Sequence, residues 1–221
     1  MTDIRQDFDW LFHTDAGLLA RAGIGAAIFA ALALIDIYRR RAQATRWREY
    51  LFLLTVVAMA FLYGVVNDLL TCRISWEYFL YGKGLVGVLG DAIPPDPALL
   101  SWEAAKIGLK ATWSAGLIIG VAMLVANNPS ARRRQLPYRQ MLIRAAMILL
   151  GSALCAAILG VAGYRGCFVK LSTDFAEMTR NNEFRPPRFM AVYGIHLGGY
   201  VGAAIGIIVA IVSIRLSRKA T

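Results

Sequence analysis

Residues Tyr50 to Val66 read YLFLLTVVAMAFLYGVV, seventeen positions without a charge. As a helix at about 1.5 Å per residue this run is about 25 Å long, close to the ~30 Å hydrocarbon core of a bilayer. It is apolar on every side and has no polar face to turn toward water. Arg46 and Arg48 stand before it, and Asn67-Asp68 follows directly. Working outward, four further runs share its character: about Ala22–Tyr38, Ile107–Ala126, Met141–Gly163 and Phe189–Ile214. They predict an all-α fold, an integral membrane bundle of five transmembrane helices forming one domain over residues 1–221.

The whole composition agrees. Of 221 residues, 58% are hydrophobic and 17% charged, with a mean hydropathy of +0.54. Soluble domains have about 45–50% apolar and about 25% charged residues, and disordered chains are more polar still. The formal charge of +10 does not indicate a nucleic-acid partner, because the basic residues gather in short loops beside apolar runs. Three segments, Arg39–Glu49, Arg132–Arg139 and Arg215–Lys219, hold twelve basic residues against one acid, Glu49. The intervening loops, about 69–103 and 164–188, are longer and carry seven of the fourteen acids. Lys and Arg resist translocation, so the alternation predicts the N-terminus outside, the C-terminus inside and both long loops facing outward. The first residues carry Asp3, Asp7, Asp9 and Asp15, unlike the basic start of a secretory signal, so the first run is expected to stay in the protein. Phe8-Asp9-Trp10-Leu11-Phe12-His13 suits the outer interface.

The last run places Gly194, Gly198, Gly202 and Gly206 four residues apart, a stripe on which another helix backbone can approach closely. The neighbour is either in the same chain or across a homo-oligomer or membrane-complex contact. Gly23 and Ala27 are a weaker version. Gly82-Lys83-Gly84-Leu85-Val86-Gly87 matches a dinucleotide-binding expression, but the strand and helix that give that pattern meaning are absent between membrane spans.

Ionisable groups at membrane depth carry the functional expectation, since each costs at least ~2.5–3.5 kcal/mol to insert. Asp68 ends the second run. Lys106 and Lys110 open the third on one face, followed by Trp113. His196 lies seven residues into the fifth run, roughly 10 Å deep. A compact bundle would gather Asp68, Lys106, Lys110 and His196, with Glu77 or Glu177 folded over them. On the structural reading the lysines snorkel, Asp68 pairs with one of them and His196 bonds a carbonyl. On the functional reading the cluster is an ion or solute pathway, or a metal or catalytic centre. Asp68, Glu77 and His196 are the candidate ligands for a divalent metal, and His13 is a poor second histidine. Asp36 is expected to pair with Arg144 or the loop arginines. Cys155 reads as a packing residue, and Cys72 with Cys167 as a candidate disulfide between the outward loops.

Tyr63-Gly64, Asn67-Asp68 and Glu77-Tyr78-Phe79, with Lys110-Ala111-Thr112-Trp113 and His196-x-x-x-Tyr200-x-Gly202, carry a resemblance. The chain resembles a widespread, largely uncharacterised family of bacterial polytopic membrane proteins with a Tyr-Gly, (His/Asn)-Asp, Glu-Tyr-Phe signature. The resemblance implies an all-helical protein of the bacterial cytoplasmic membrane, and it groups Asp68, Glu77, Trp113, His196 and Tyr200 as a set without supplying an activity. Asn67 stands where relatives often carry His, which counts against a metal. Three functions follow in order. The first is binding or conducting a small ion or polar solute. The second is a membrane-embedded, metal-assisted enzyme at the lipid interface, and the third an accessory or scaffold subunit.

Overall fold

The apolar runs fold as helices that outlast them. The computed structural model describes residues 15–90, 93–128, 133–168 and 186–218. Among the described residues it is helical, with no strand and five helices long and apolar enough to cross a membrane. These are α1 (Asp15–Arg40), α2 (Trp47–Ile74), α3 (Pro97–Ala126), α4 (Tyr138–Tyr164) and α5 (Pro186–Ser217). His13 and Glu177 lie outside the described residues.

Two helix ends differ from the apolar windows for a local reason. Past Val66, α2 continues for two more turns through Asn67, Asp68, Thr71 and Arg73. Thr71 turns its hydroxyl back to the Asn67 carbonyl at 2.9 Å, so a polar side chain is satisfied inside the helix. The start of α3 is set by Asp96, whose carboxylate accepts the Leu99 N–H at 2.8 Å, with Pro97 at the first helical position. Residues 69–74 and 97–103, expected as loop, are therefore helical.

The helices form two tight hairpins, α2 with α3 and α4 with α5, which touch each other much less than their members touch within each pair. Glycine explains the tightness. A Cβ built at Gly64 would collide with the Gly108 carbonyl oxygen, and one at Gly108 with that of Gly64. Gly116 meets Val57 and Ala60 in the same seam. Across the second seam Gly194 faces the Leu159 carbonyl, Gly198 that of Cys155, and Gly202 the Ser152 Cα. The stripe in the last span thus packs on α4 of the same chain. Gly206 meets Ile148.

α1 stands at the edge, against α2, where Phe29 stacks on Tyr50 with ring centroids 5.9 Å apart. Asp36 ties the connection: its carboxylate accepts the N–H groups of Arg46 at 2.8 Å and Trp47 at 3.3 Å, and pairs with Arg40 at 3.4 Å. Arg144 instead donates to Ser213, at 3.1 Å, and to Ser217, at 2.9 Å. At that end Asn127 exchanges hydrogen bonds with the backbone of Leu136. Arg218 donates to the carbonyls of Ala126, Arg133 and Arg134.

The core divides along the bundle axis. One apolar cluster, including Phe52, Met123, Met141 and Ile214, fills the arginine-rich end. A second, including Tyr78, Phe79, Leu89, Leu100 and Phe189, fills the other. The segment after α2 builds the second cluster. Ser75 accepts the Tyr78 N–H at 3.3 Å, starting a helical turn that widens into a π-helical stretch over Tyr78–Gly82. A further turn, Val86–Leu89, brings Leu85 and Leu89 onto the bundle. This segment is a cap.

Candidate functional site

Between the two apolar clusters lies a cavity of about 60 Å³, enough for about two water molecules. All four helices of the two hairpins line it. From α2 come Tyr63, Asn67 and Asp68, from α3 Thr112, from α4 Ser152, and from α5 His196 and Tyr200. Each arrives by helical spacing. Asp68 stands one turn beyond Gly64 and Thr112 one turn beyond Gly108, so the close glycine contact also delivers their polar side chains. Tyr200 stands one turn beyond His196.

Asp68 is 3% exposed. Its Oδ1 accepts from the Asn67 amide at 3.0 Å and lies 3.8 Å from His196 Nε2. The His196 side chain is only 10% exposed, and its Nε2 has no hydrogen-bond partner among the described residues. A buried polar atom without a partner is uncommon and calls for an explanation. With α5 beginning at Pro186, His196 sits ten residues in, about 15 Å along the helix rather than the expected 10 Å.

The cavity is rich in acceptors. Thr112 spends its hydroxyl proton on the Gly108 carbonyl at 2.8 Å, and Ser152 on that of Ile148 at 2.9 Å. Both oxygens therefore offer only lone pairs to a guest. The Asp68 carboxylate and the Asn67 amide oxygen have the same character. Such a lining suits a cation or a hydrogen-bond donor of small size.

The cap closes one end. The Tyr78 ring stacks on His196, centroids 4.9 Å apart and 10° from parallel, and Phe79 meets the same imidazole edge-on at 6.2 Å. Lys83 Nζ lies 5.6 Å from the Tyr78 ring centroid, a cation–π distance. Burial holds the Lys83 ammonium below its usual range while Asp68 pulls it up, and burial raises the Tyr78 phenol. Sequence reasoning passed over Lys83 because it lies in a loop and inside a misleading glycine pattern. Thr112 and Ser152 were missed too, although each sits in a row of small residues at four-residue spacing.

The predicted site residues separate. Asp68, His196 and Tyr200 share the cavity. Glu77, 2% exposed, accepts the Ser75 hydroxyl at 2.7 Å and anchors the cap turn. Lys106 pairs with Glu103, one turn back, at 2.7 Å. Lys106, Lys110 and Trp113 are not among the lining residues. No group of three or more His, Cys, Asp and Glu side chains suited to a metal occurs among the described residues. Cys72 is buried, Cys167 is exposed, and both are free thiols.

Fold and site together define an integral membrane protein with a buried polar chamber between two helical hairpins. No family model, curated protein or solved structure matches the chain.

Proposed function

We propose that the chain binds or conducts a small cation or hydrogen-bond-donating solute through the Asp68–His196 cavity. One observation carries this reading: a His196 nitrogen without a hydrogen-bond partner, facing a buried carboxylate across an acceptor-lined space. Asp68 supplies the charge, His196 a proton-exchanging group, and the acceptors on Asn67, Thr112 and Ser152 the remaining coordination. Tyr78 and Lys83 guard the capped end. The asymmetry of basic loops supports a cytoplasmic-membrane setting of bacterial type, with the cap outside and the arginine-rich end inside.

Methylammonium, which combines positive charge with donor hydrogens and fits the volume, is a suitable probe. Its binding to purified protein in nanodiscs should weaken about tenfold in Asp68→Asn and in His196→Ala, about 1.4 kcal/mol. Binding should also fall as pH is lowered, because a proton on Asp68 or His196 competes with the cation. Tyr63, Tyr78, Lys83 and Tyr200 also face the pair, and Lys83 lies within the field of Asp68. Calorimetric affinities that stay the same in both variants would contradict the assignment.

A further inference from the structure

On its α2–α4 side the bundle carries a groove of about 560 Å³, within the ~300–1,000 Å³ range of small-molecule sites. Its floor is apolar, with Leu62, Leu70 and Ile74 from α2 and Ala153 and Ala157 from α4. It runs from Met59 to Ile74, about 22 Å at ~1.5 Å per residue, so it lies along the membrane-spanning direction. Four residues, Tyr63, Asn67, Leu149 and Ile195, line both this groove and the polar cavity. They are the wall between the two.

Four other approaches to the cavity are closed by different means, while on the α3–α5 side the lining residue Tyr200 is 55% exposed. Within each hairpin, helix backbones touch at Gly64–Gly108 and at Gly198 and Gly202. Tyr78 and Phe79 cover the capped end, and the Phe52–Met123–Met141 cluster occupies the axis on the other side. The shared wall consists of side chains. Tyr63 reaches across it toward α5, where a Cβ at Gly199 would stand 3.3 Å from its hydroxyl oxygen.

Resting on the cavity reading above, we infer that the solute is the small head of a single-chain primary amine, whose alkyl chain occupies the α2–α4 groove. The two compartments match the two halves of such a molecule. The groove offers contiguous apolar area, open sideways to the phase in which alkyl chains dissolve. The cavity offers acceptors and a carboxylate, in a volume that admits an ammonium head and excludes a phosphodiester. The amphiphile enters from the membrane, with Tyr63 and Asn67 meeting the head as it passes.

The test uses full-length protein in phosphatidylcholine nanodiscs and two probes: methylammonium, the head alone, and a long-chain primary amine with a diazirine near its tail. Photolabel is expected on α2 and α4 residues facing the groove, and unlabelled dodecylamine should compete it away. Ala157→Trp fills the groove at an exposed, membrane-facing position that does not line the cavity. It should weaken the long-chain amine about tenfold or more and leave methylammonium unchanged, while Asp68→Asn weakens both. The smaller Ala153→Phe should act in the same direction. The groove inference is overturned if Ala157→Trp and Ala153→Phe leave the long-chain amine unaffected, or if label scatters around all membrane-facing surfaces. In either case, a methylammonium response to Asp68→Asn keeps the cavity reading standing. Methylammonium indifferent to Asp68→Asn removes both.

Discussion

Lys83, Tyr78, His196 and Asp68 form a short chain of unlike groups: an ammonium near a phenol ring, the ring on an imidazole, the imidazole beside a carboxylate. Two of the four were legible in the sequence, because a charge or imidazole inside an apolar run stands out against its surroundings. Lys83 was not, since only the turn that begins at Ser75 decides which loop residues fold back. Glu77 was read as a site carboxylate, yet the hydroxyl two residues before it takes its oxygen. Lys83 has a consequence for stability. Burial holds its folded pKa below 10.5, so between those values the unfolded chain binds more protons and stability rises with pH. The Tyr78 phenol works oppositely above pH 10.0, but that contribution is common to wild type and Lys83→Met. The wild-type melting temperature minus that of Lys83→Met, followed in detergent from pH 7 to 10, should therefore increase with pH. A flat or falling difference would show that Lys83 is not desolvated.

At the scale of elements, five apolar runs announced five helices, while their ends were hidden. Asn67, Asp68 and Arg73 look like loop residues, yet α2 carries them because its backbone bonds continue and Thr71 bonds within the helix. The seam of α4 with α5 was visible as four glycines in one helix. That of α2 with α3 was not: Gly64 is alone on its helix, and Thr112 interrupts the row Gly108, Gly116 and Gly120. The seams make a sharp comparison. Gly64→Leu drives a side chain into the Gly108 carbonyl and Thr112, an overpacking expected to destabilise by about 1–3 kcal/mol. Nothing described lies within 4 Å of a Cβ at Gly23, and Gly23→Leu should leave the monomer's stability unchanged within about 0.5 kcal/mol. Thermal unfolding in detergent reads both, and equal losses would remove the seam as the reason for the glycine.

Across the whole molecule, two apolar clusters bracket one polar chamber, and this division decides what the bundle can do. The membrane class was legible from composition, because 58% hydrophobic residues leave no soluble alternative. How the two hairpins meet was not legible, since it depends on side chains from four helices whose relative rotation no single run records. The chamber exists because Asp68, Thr112, Ser152 and His196 fall at the same depth on different helices. The central claim is that Asp68 and His196 act on one guest. The most direct test is a double-mutant cycle on methylammonium affinity, comparing wild type, Asp68→Asn, His196→Ala and the double variant. A shared site predicts strong non-additivity, with the double variant no weaker than the weaker single one and a coupling of about 1 kcal/mol or more. Losses that simply add, or single variants that bind as wild type does, would contradict it.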